Sequence, residues 1–339
     1  MSEEKSIPVG RLGRLARMAR VGTRTGATML LSRSADGAAA QAAAVLGTLR
    51  GLAAKVGQTA SYVDGLIPEP YREAYESALS TLRAQAPTSS PSAIRAVVEA
   101  ELGGPIDRLF VEWQDTPIAS ASIGQVHRAR LHDGREVAVK VQHPGIDRAI
   151  EADLNNADVV RGLFSTLGPK GLNSKKVFSE VAARFREELD YQQEARHQKF
   201  FATLHAGDAK IHIPTVVDSH TSRRVLTTEL CSGALLDQAA RATEAMRRSY
   251  AEVLWRFVFK GILVGGQFNA DPHPGNYLFR PDGSVTFLDF GCVQPLTDKQ
   301  VHQARCIHKA ALERDEVAFA RHCAALLETR GGNYERLVL

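Results

Sequence analysis

The sequence predicts an α+β fold of two lobes, a small sheet-bearing lobe followed by a mainly helical one. Three observations carry this. Strand-like sequence begins near residue 115, where "IASASIGQVHRARL" and "REVAVKVQ" flank "HDG", an Asp-Gly hairpin signal. One helical run, 174–206, stands among the strands; Val177, Val181, Phe185 and Leu189 step by four, with Ser174 as N-cap. From 235 onward the pattern is helical, interrupted by a short hairpin at 276–289.

The 339 residues suffice for two lobes and an extension. The first segment, 1–35, carries +5, whereas the remaining residues sum to −1. Within it Arg11, Arg14, Arg17 and Arg20 recur every third residue, interleaved with Leu12, Leu15, Met18 and Val21. As a helix this is basic and amphipathic, a pattern that suits an anionic membrane surface. A solvated helix packed on its own domain and a disordered arm are the alternatives. No apolar core of signal-peptide type follows, and the acidic start "MSEEK" argues against a transit peptide.

Residues 36–114 read as an Ala-rich helical extension, with Pro68, Pro70, Pro87 and Pro91 as breakers. The sheet-bearing lobe is expected over 115–231, and "VVDSHTSRRVLTTEL" should add two strands to it. The helical lobe is expected over 232–339. No run of 18 apolar residues occurs, so the sequence predicts no transmembrane helix. Cys231, Cys292, Cys306 and Cys323 form no CxxC pair, which favours a reducing compartment over a disulfide framework. A cytoplasmic protein, peripheral on the inner membrane, is the expected setting, with no nucleic acid as partner.

The chemistry gathers late in the chain. "NADPHPGNYLFRPDGSVTFLDFG" offers Asp271, Asn276 and Asp289. "RPDGS" is a turn, so the flanking strands should pair and return Asp289 to the end where Asn276 sits. A carboxylate and an amide carbonyl then converge as hard-oxygen ligands suited to Mg2+. Asp271 leads Asn276 by five, the spacing of a kinase catalytic loop, and Asp289 opens an Asp-Phe-Gly triplet. A turn Asp or a capping Asn explains either residue alone; the ordered combination points to phosphoryl transfer, which needs positioning and charge more than covalent chemistry.

In "EVAVKVQ", Val137, Val139 and Val141 share one strand face, and Ala138 and Lys140 the other. Lys140 matches the lysine that contacts the α- and β-phosphates of a nucleotide. Its carboxylate partner is expected on the long helix at Glu194, next to Ala195, which permits close approach. Periodicity alone would leave Glu194 exposed. The phosphate-covering loop aligns with Ala119, Ser120, Ala121, Ser122, Ile123, Gly124 and Val126, where kinases carry G-x-G-x-x-G-x-V. Two alanines replace glycines, so the loop should be stiffer.

These motifs together resemble the UbiB/AarF atypical kinases, protein-kinase-like proteins linked to coenzyme Q biosynthesis. The resemblance runs from about residue 45 to about 300. "KVGQ" (Lys55, Gly57, Gln58) is similar to the family's KxGQ signature, "ASASIGQVH" to its Ala-rich loop, and "ELD" (Glu188, Leu189, Asp190) to its ExD motif. The resemblance implies a bilobal protein-kinase-like fold with a family-specific N-terminal helical extension and a short helical C-lobe. It implies that Lys55 pairs with Glu188 and Lys140 with Glu194. On one helix those glutamates would lie about 120° apart, free to serve different lysines. It also implies ATP or ADP with Mg2+ as cofactors, ATPase or small-molecule activity, and quinone-precursor lipids or quinone-biosynthesis proteins as partners.

The sequence departs from the protein-kinase pattern as well. No Ala-Pro-Glu motif follows "DFG", and helix resumes near 298, leaving almost no activation loop. Two rival readings remain: a small-molecule phosphotransferase of the aminoglycoside or choline kinase type, and a non-catalytic, nucleotide-gated lipid-binding protein.

Overall fold

The computed structural model describes residues 89–121, 123–155, 183 and 186–327. The expectations for the basic segment, for Lys55 and Gln58, for Ser122 and for the start of the long helix lie outside the described residues. The described chain forms two compact units. The first runs to Gly134 and adds Val139–Asp190 and Arg223–Val225; the second takes Arg135–Ala138, Tyr191–Ser222 and the chain from Leu226 onward.

The first unit opens on α1, Pro91–Leu102. Pro91 was expected to break a helix; it opens one, because the first helical position needs no N–H. The Ser90 side chain caps the new N-terminus, and Gly103 ends the helix at φ 75°. After α2 (Ile106–Leu109) come β1 (Glu112–Trp113), β2 (Ala119–Ala121), β3 (Gly124–Arg130) and β4 (Glu136–Gln142). Then comes α3, Ile146–Asn155. The sheet runs β1-β3-β4-β6, with β2 also on β3 and β6 spanning Val225–Glu229. Gly134, at φ 88°, supplies the left-handed residue of the "HDG" turn between β3 and β4. Val137, Val139 and Val141 are buried and Ala138 and Lys140 half-buried, as strand alternation requires.

The single helix expected over 174–206 is interrupted. Residues 186–188 are helical, Leu189 turns, and α4 begins afresh at Tyr191 and ends at Leu204. The cause lies on β4, where the buried Gln142 donates its Nε2 to the carbonyls of Leu189 (3.0 Å) and Arg223 (3.3 Å). With the Leu189 carbonyl drawn to β4, the helical ladder is interrupted there. The one-helix estimate of 120° between Glu188 and Glu194 therefore fails. Periodicity persisted across the break because Leu189 is buried like a helical core residue.

The second unit comprises α4, β5 (Ile211–His212), α5 (Leu236–Ala239), α6 (Glu244–Lys260), β7 (Gln267–Asn269), β8 (Tyr277–Phe279), β9 (Val285–Phe287), β10 (Val293–Pro295), α7 (Asp298–Glu313) and α8 (Glu316–Leu327). The stretch 216–230 yields β6 alone as a strand. Its first half is a short 3-10 turn, Asp218–His220, with an isolated bridge between Val216 and Thr228. The hairpin at 276–289 forms with Tyr277 opposite Phe287 and Phe279 opposite Val285, and Gly283 turns it at φ 82°. A further pair, β7 with β10, stands where the sequence suggested helices and a loop. Three-residue strands carry too little alternation to be read from sequence. The core is aromatic: Phe201, Phe257, Phe279, Phe287 and Phe290 are all at or below 2% exposure.

Candidate functional site

The second unit's site is built on two short strand pairs. The β8–β9 register brings the end of β9 beside Asn276, whose carbonyl accepts the Leu288 N–H at 2.9 Å. The β7–β10 pair sets Asn269 opposite Val293, and the Ala270 N–H meets the Cys292 carbonyl at 2.8 Å. The loop carrying Asp271 and the loop carrying Asp289 are thus tied on both sides.

Side chains complete the lacing. Asn269 donates Nδ2 to the Asp289 carbonyl (2.9 Å), and its Oδ1 accepts the Asp271 N–H (3.4 Å). Asp271 Oδ1 accepts the His273 N–H, and His273 Nδ1 accepts the Gly275 N–H at 3.0 Å. Asn276 donates Nδ2 to the Asp271 carbonyl (3.3 Å), which leaves its Oδ1 as the acceptor end. Asp289 Oδ1 accepts the Gly291 N–H at 2.8 Å.

Glu194 enters from α4. It is 4% exposed, not the solvated helical glutamate that periodicity favoured. A methyl group placed on Gly291 would lie 3.2 Å from Asp289 Oδ1 and 3.5 Å from Glu194 Oε2, so both carboxylates face that glycine. One turn along α4, His197 Nδ1 sits 3.2 Å from the Phe290 carbonyl. A carbonyl can only accept, so Nδ1 carries the hydrogen. Phe290 itself is fully buried, 5.4 Å from the Phe201 ring. The Asp-Phe-Gly turn is therefore held by a core side chain, a histidine and an asparagine.

The Asp289 carboxylate and the Asn276 amide oxygen, with Asp271 one loop away, are the hard-oxygen donors Mg2+ takes. The residues present fit that ion.

In the first unit the Ala-rich stretch is a hairpin. Ala119 pairs with Val126, Ser120 with Gln125 and Ala121 with Gly124. Both alanines are extended, in accord with alanine's aversion to positive φ. Beneath lies a buried polar chain that the sequence did not signal. Gln125 Oε1 accepts the Ser89 N–H (3.0 Å), Gln125 Nε2 donates to His127 Nε2 (2.9 Å), and His127 Nδ1 donates to the Gln114 carbonyl (2.9 Å). Burial pushes the His127 pKa down, consistent with the neutral tautomer these bonds require. The Trp113 ring stacks on His127 at 4.9 Å. At the turn, the Ile123 carbonyl accepts the His143 N–H, and His143 Nδ1 meets Ser89 Oγ at 2.8 Å. Lys140, Glu188 and Asp190 belong to this unit and are half-buried.

Comparison with known proteins settles the family. The model of the ABC1 atypical kinase-like domain matches residues 81–323. The chain belongs to the ABC1 atypical kinase-like family. An ABC1 relative in Arabidopsis thaliana, the chloroplastic protein ACTIVITY OF BC1 COMPLEX KINASE 7, is 34% identical over 70% of this chain and 34% of its own length. The mitochondrial atypical kinase coq-8 of Caenorhabditis elegans is 31% identical over 93% of this chain and 45% of its own length. The chain thus spans about a third to a half of the length of these curated relatives. Among solved structures, the Mycobacterium tuberculosis protein Rv3197 in complex with erythromycin aligns with a TM-score of 0.58 and 31% identity. That alignment covers 91% of this chain and 74% of the other. The fold is kinase-like, as ABC1 membership implies, and no helix among the described residues is long and apolar enough to cross a membrane.

Asn269, His197, Gln125 and His127 were given no role in the sequence reading, although Asn269, Gln125 and His127 stand within the motifs quoted there. Position gave faint signals for two of them: Asn269 stands two residues before Asp271, and His197 shares a helix face with Glu194. Their partners lie 20 and 93 residues away, beyond the reach of local pattern.

Proposed function

We propose that the chain is an ATPase or phosphotransferase of the UbiB type that binds Mg-ATP or Mg-ADP. The observation that carries this is the single lacing of Asp271, Asn276 and Asp289, with the buried Glu194 carboxylate facing the same glycine as Asp289. Asn276 and Asp289 take the metal, and Asp271 orients the attacking hydroxyl or water. Lys140 takes the phosphate-anchoring role and Glu194 the supporting carboxylate. Bound Mg2+ supplies charge neutralisation for the phosphates. The Ala119–Ala121 hairpin, Ser122, Ile123, Gly124 and Val126 cover the nucleotide. Lys55, Gln58, Glu188 and Asp190 form the family-specific element that restricts access to it. Quinone biosynthesis or lipid homeostasis at a membrane is the proposed context, in keeping with the resemblance and the coq-8 relative.

Asp289→Asn tests the core of this reading. It keeps the side chain's size and its capacity to accept the Gly291 N–H, and removes the charge. Titration calorimetry should show Mg-nucleotide affinity reduced at least tenfold, with circular dichroism unchanged; equal affinity in a folded variant overturns the assignment. Phosphate release, measured with and without cardiolipin-containing liposomes and quinone-precursor-like phenols, then separates ATPase from phosphotransferase activity.

The erythromycin complex of the mycobacterial relative supports a second reading, a bulky hydroxylated small molecule as ligand or acceptor. Erythromycin added to the same turnover assay tests it: acceleration or a phosphorylated product favours a small-molecule phosphotransferase.

A further inference from the structure

A second group of ligand-type side chains converges away from Asp271 and Asp289. His212 lies on β5, Glu229 ends β6, and Cys231 follows two residues later. One donor atom from each lies within 4.8 Å of the other two. The local fold explains why. In an extended chain, residues two apart share a face, so Glu229 and Cys231 point the same way. The Glu229 N–H donates to the Thr215 carbonyl at 2.9 Å, and the Thr215 N–H returns a bond to Glu229 Oε2 at 3.3 Å. One carboxylate oxygen is thereby fixed to backbone, and Oε1 is turned toward His212.

His212 Nε2 is 3.2 Å from that Oε1. The atom is buried, yet the geometry is not that of a hydrogen bond, and Nε2 has no hydrogen-bonding partner among the described residues. The imidazole nitrogen thus meets the carboxylate at ion-pair distance but out of hydrogen-bond alignment, while the Cys231 Sγ donates weakly to the Glu229 carbonyl at 3.8 Å, and an ion among the three would engage all of them.

We propose that His212, Glu229 and Cys231 bind a transition-metal dication, Zn2+ by ligand chemistry, with a fourth position open. Sulfur, imidazole nitrogen and carboxylate oxygen together select a borderline ion, whereas Mg2+ and Ca2+ want oxygen throughout. Three protein ligands with one vacancy are a recurrent zinc arrangement. Metal–ligand distances of about 2.0–2.3 Å put donor atoms roughly 3.5 Å apart, so donors within 4.8 Å of one another need to close by no more than about 1.3 Å through rotation of half-buried side chains. Thiolate and carboxylate together carry the charge a dication neutralises. In the metal-free group, burial and the nearby Glu229 push the Cys231 thiol up to about 11, with Arg280 beside it acting in the opposite direction. A coordinated metal displaces that proton outright. The thiol and imidazole distinguish this group from the all-oxygen set at Asp289, so the chain would sort two different cations.

The test uses the purified full chain, stripped with chelator and titrated with Co2+ and then Zn2+. One equivalent of Co2+ should give a thiolate-to-cobalt charge-transfer band, which Zn2+ displaces. Cys231→Ser should abolish the band. Glu229→Gln and His212→Gln should each weaken Zn2+ binding at least tenfold, with far-ultraviolet circular dichroism confirming folded protein. If Cys231→Ser fails to fold, His212→Gln carries the test, since its side chain is partly exposed. Cys306 lies 3.6 Å from His302 and provides the control; Cys306→Ser should change nothing. Absence of the band, or a band that survives Cys231→Ser and His212→Gln, or one lost in Cys306→Ser, overturns the proposal. Nucleotide affinity plays no part in this readout, so its outcome is separate from that of the Asp289 experiment.

Discussion

His205 stands at the end of α4 with its ring stacked 5.1 Å from Phe257 and 6.3 Å from Phe201. It is 3% exposed, and neither ring nitrogen finds a partner among the described residues. Burial lowers its pKa from 6.5 to about 4, helped by Lys260 and Arg256 and opposed by Asp208. Between those values the unfolded chain binds a proton that the folded chain refuses. The stability it contributes is therefore complete above pH 6.5 and is lost as pH falls toward 4. The loss amounts to at most roughly 3 kcal/mol. Urea unfolding at pH 7.5, 5.5 and 4.5 should show it, and His205→Phe, which keeps an aromatic ring in the stack, should flatten the slope. An unchanged slope would assign the acid sensitivity elsewhere.

At the scale of elements, the Ala119–Ala121 strand invites a direct experiment. Ala121 is extended and paired with Gly124. Ala121→Gly should cost roughly 0.5–1 kcal/mol of stability, since glycine loses more freedom in a strand. It should also free the hairpin to close differently over phosphates, changing the ratio of ATP to ADP affinity and admitting autophosphorylation. Unaltered affinities and turnover would reduce the two alanines to a structural turn. The same elements show what sequence could and could not convey. The "HDG" and "RPDGS" turns were legible because Asp-Gly chemistry is local, and both hairpins stand where expected. The break at Leu189 was not, because it depends on Gln142, 47 residues earlier in the chain. The β7–β10 pair escaped for a like reason: each strand is three residues long.

For the whole molecule, the charge of the first 35 residues is the largest asymmetry, +5 against −1 elsewhere. Basic residues near an anionic surface contribute on the order of 1 kcal/mol each. Deleting residues 1–35 should release the protein from cardiolipin-containing liposomes, and raised salt should mimic the deletion. Equal co-sedimentation of full-length and truncated chains would refute a membrane role for this segment. The family was legible because its motifs are short, ordered and chemically costly to assemble by chance. The lacing by Asn269 and His197 was not, because each residue acts on a loop distant in sequence.

The burial of Phe290 in the second unit's aromatic core has a thermodynamic corollary. The residue between Asp289 and Gly291 touches the same ring system that holds α4 and α6 together. Under the proposed nucleotide site, ligand binding at Asp289 would draw on the same aromatic packing that stabilises the second unit. A nucleotide at a hundred times its dissociation constant should raise the unfolding free energy by about 2.7 kcal/mol. Melting temperature becomes a binding gauge that requires no knowledge of the acceptor, and compounds can be ranked on this chain before any turnover is seen.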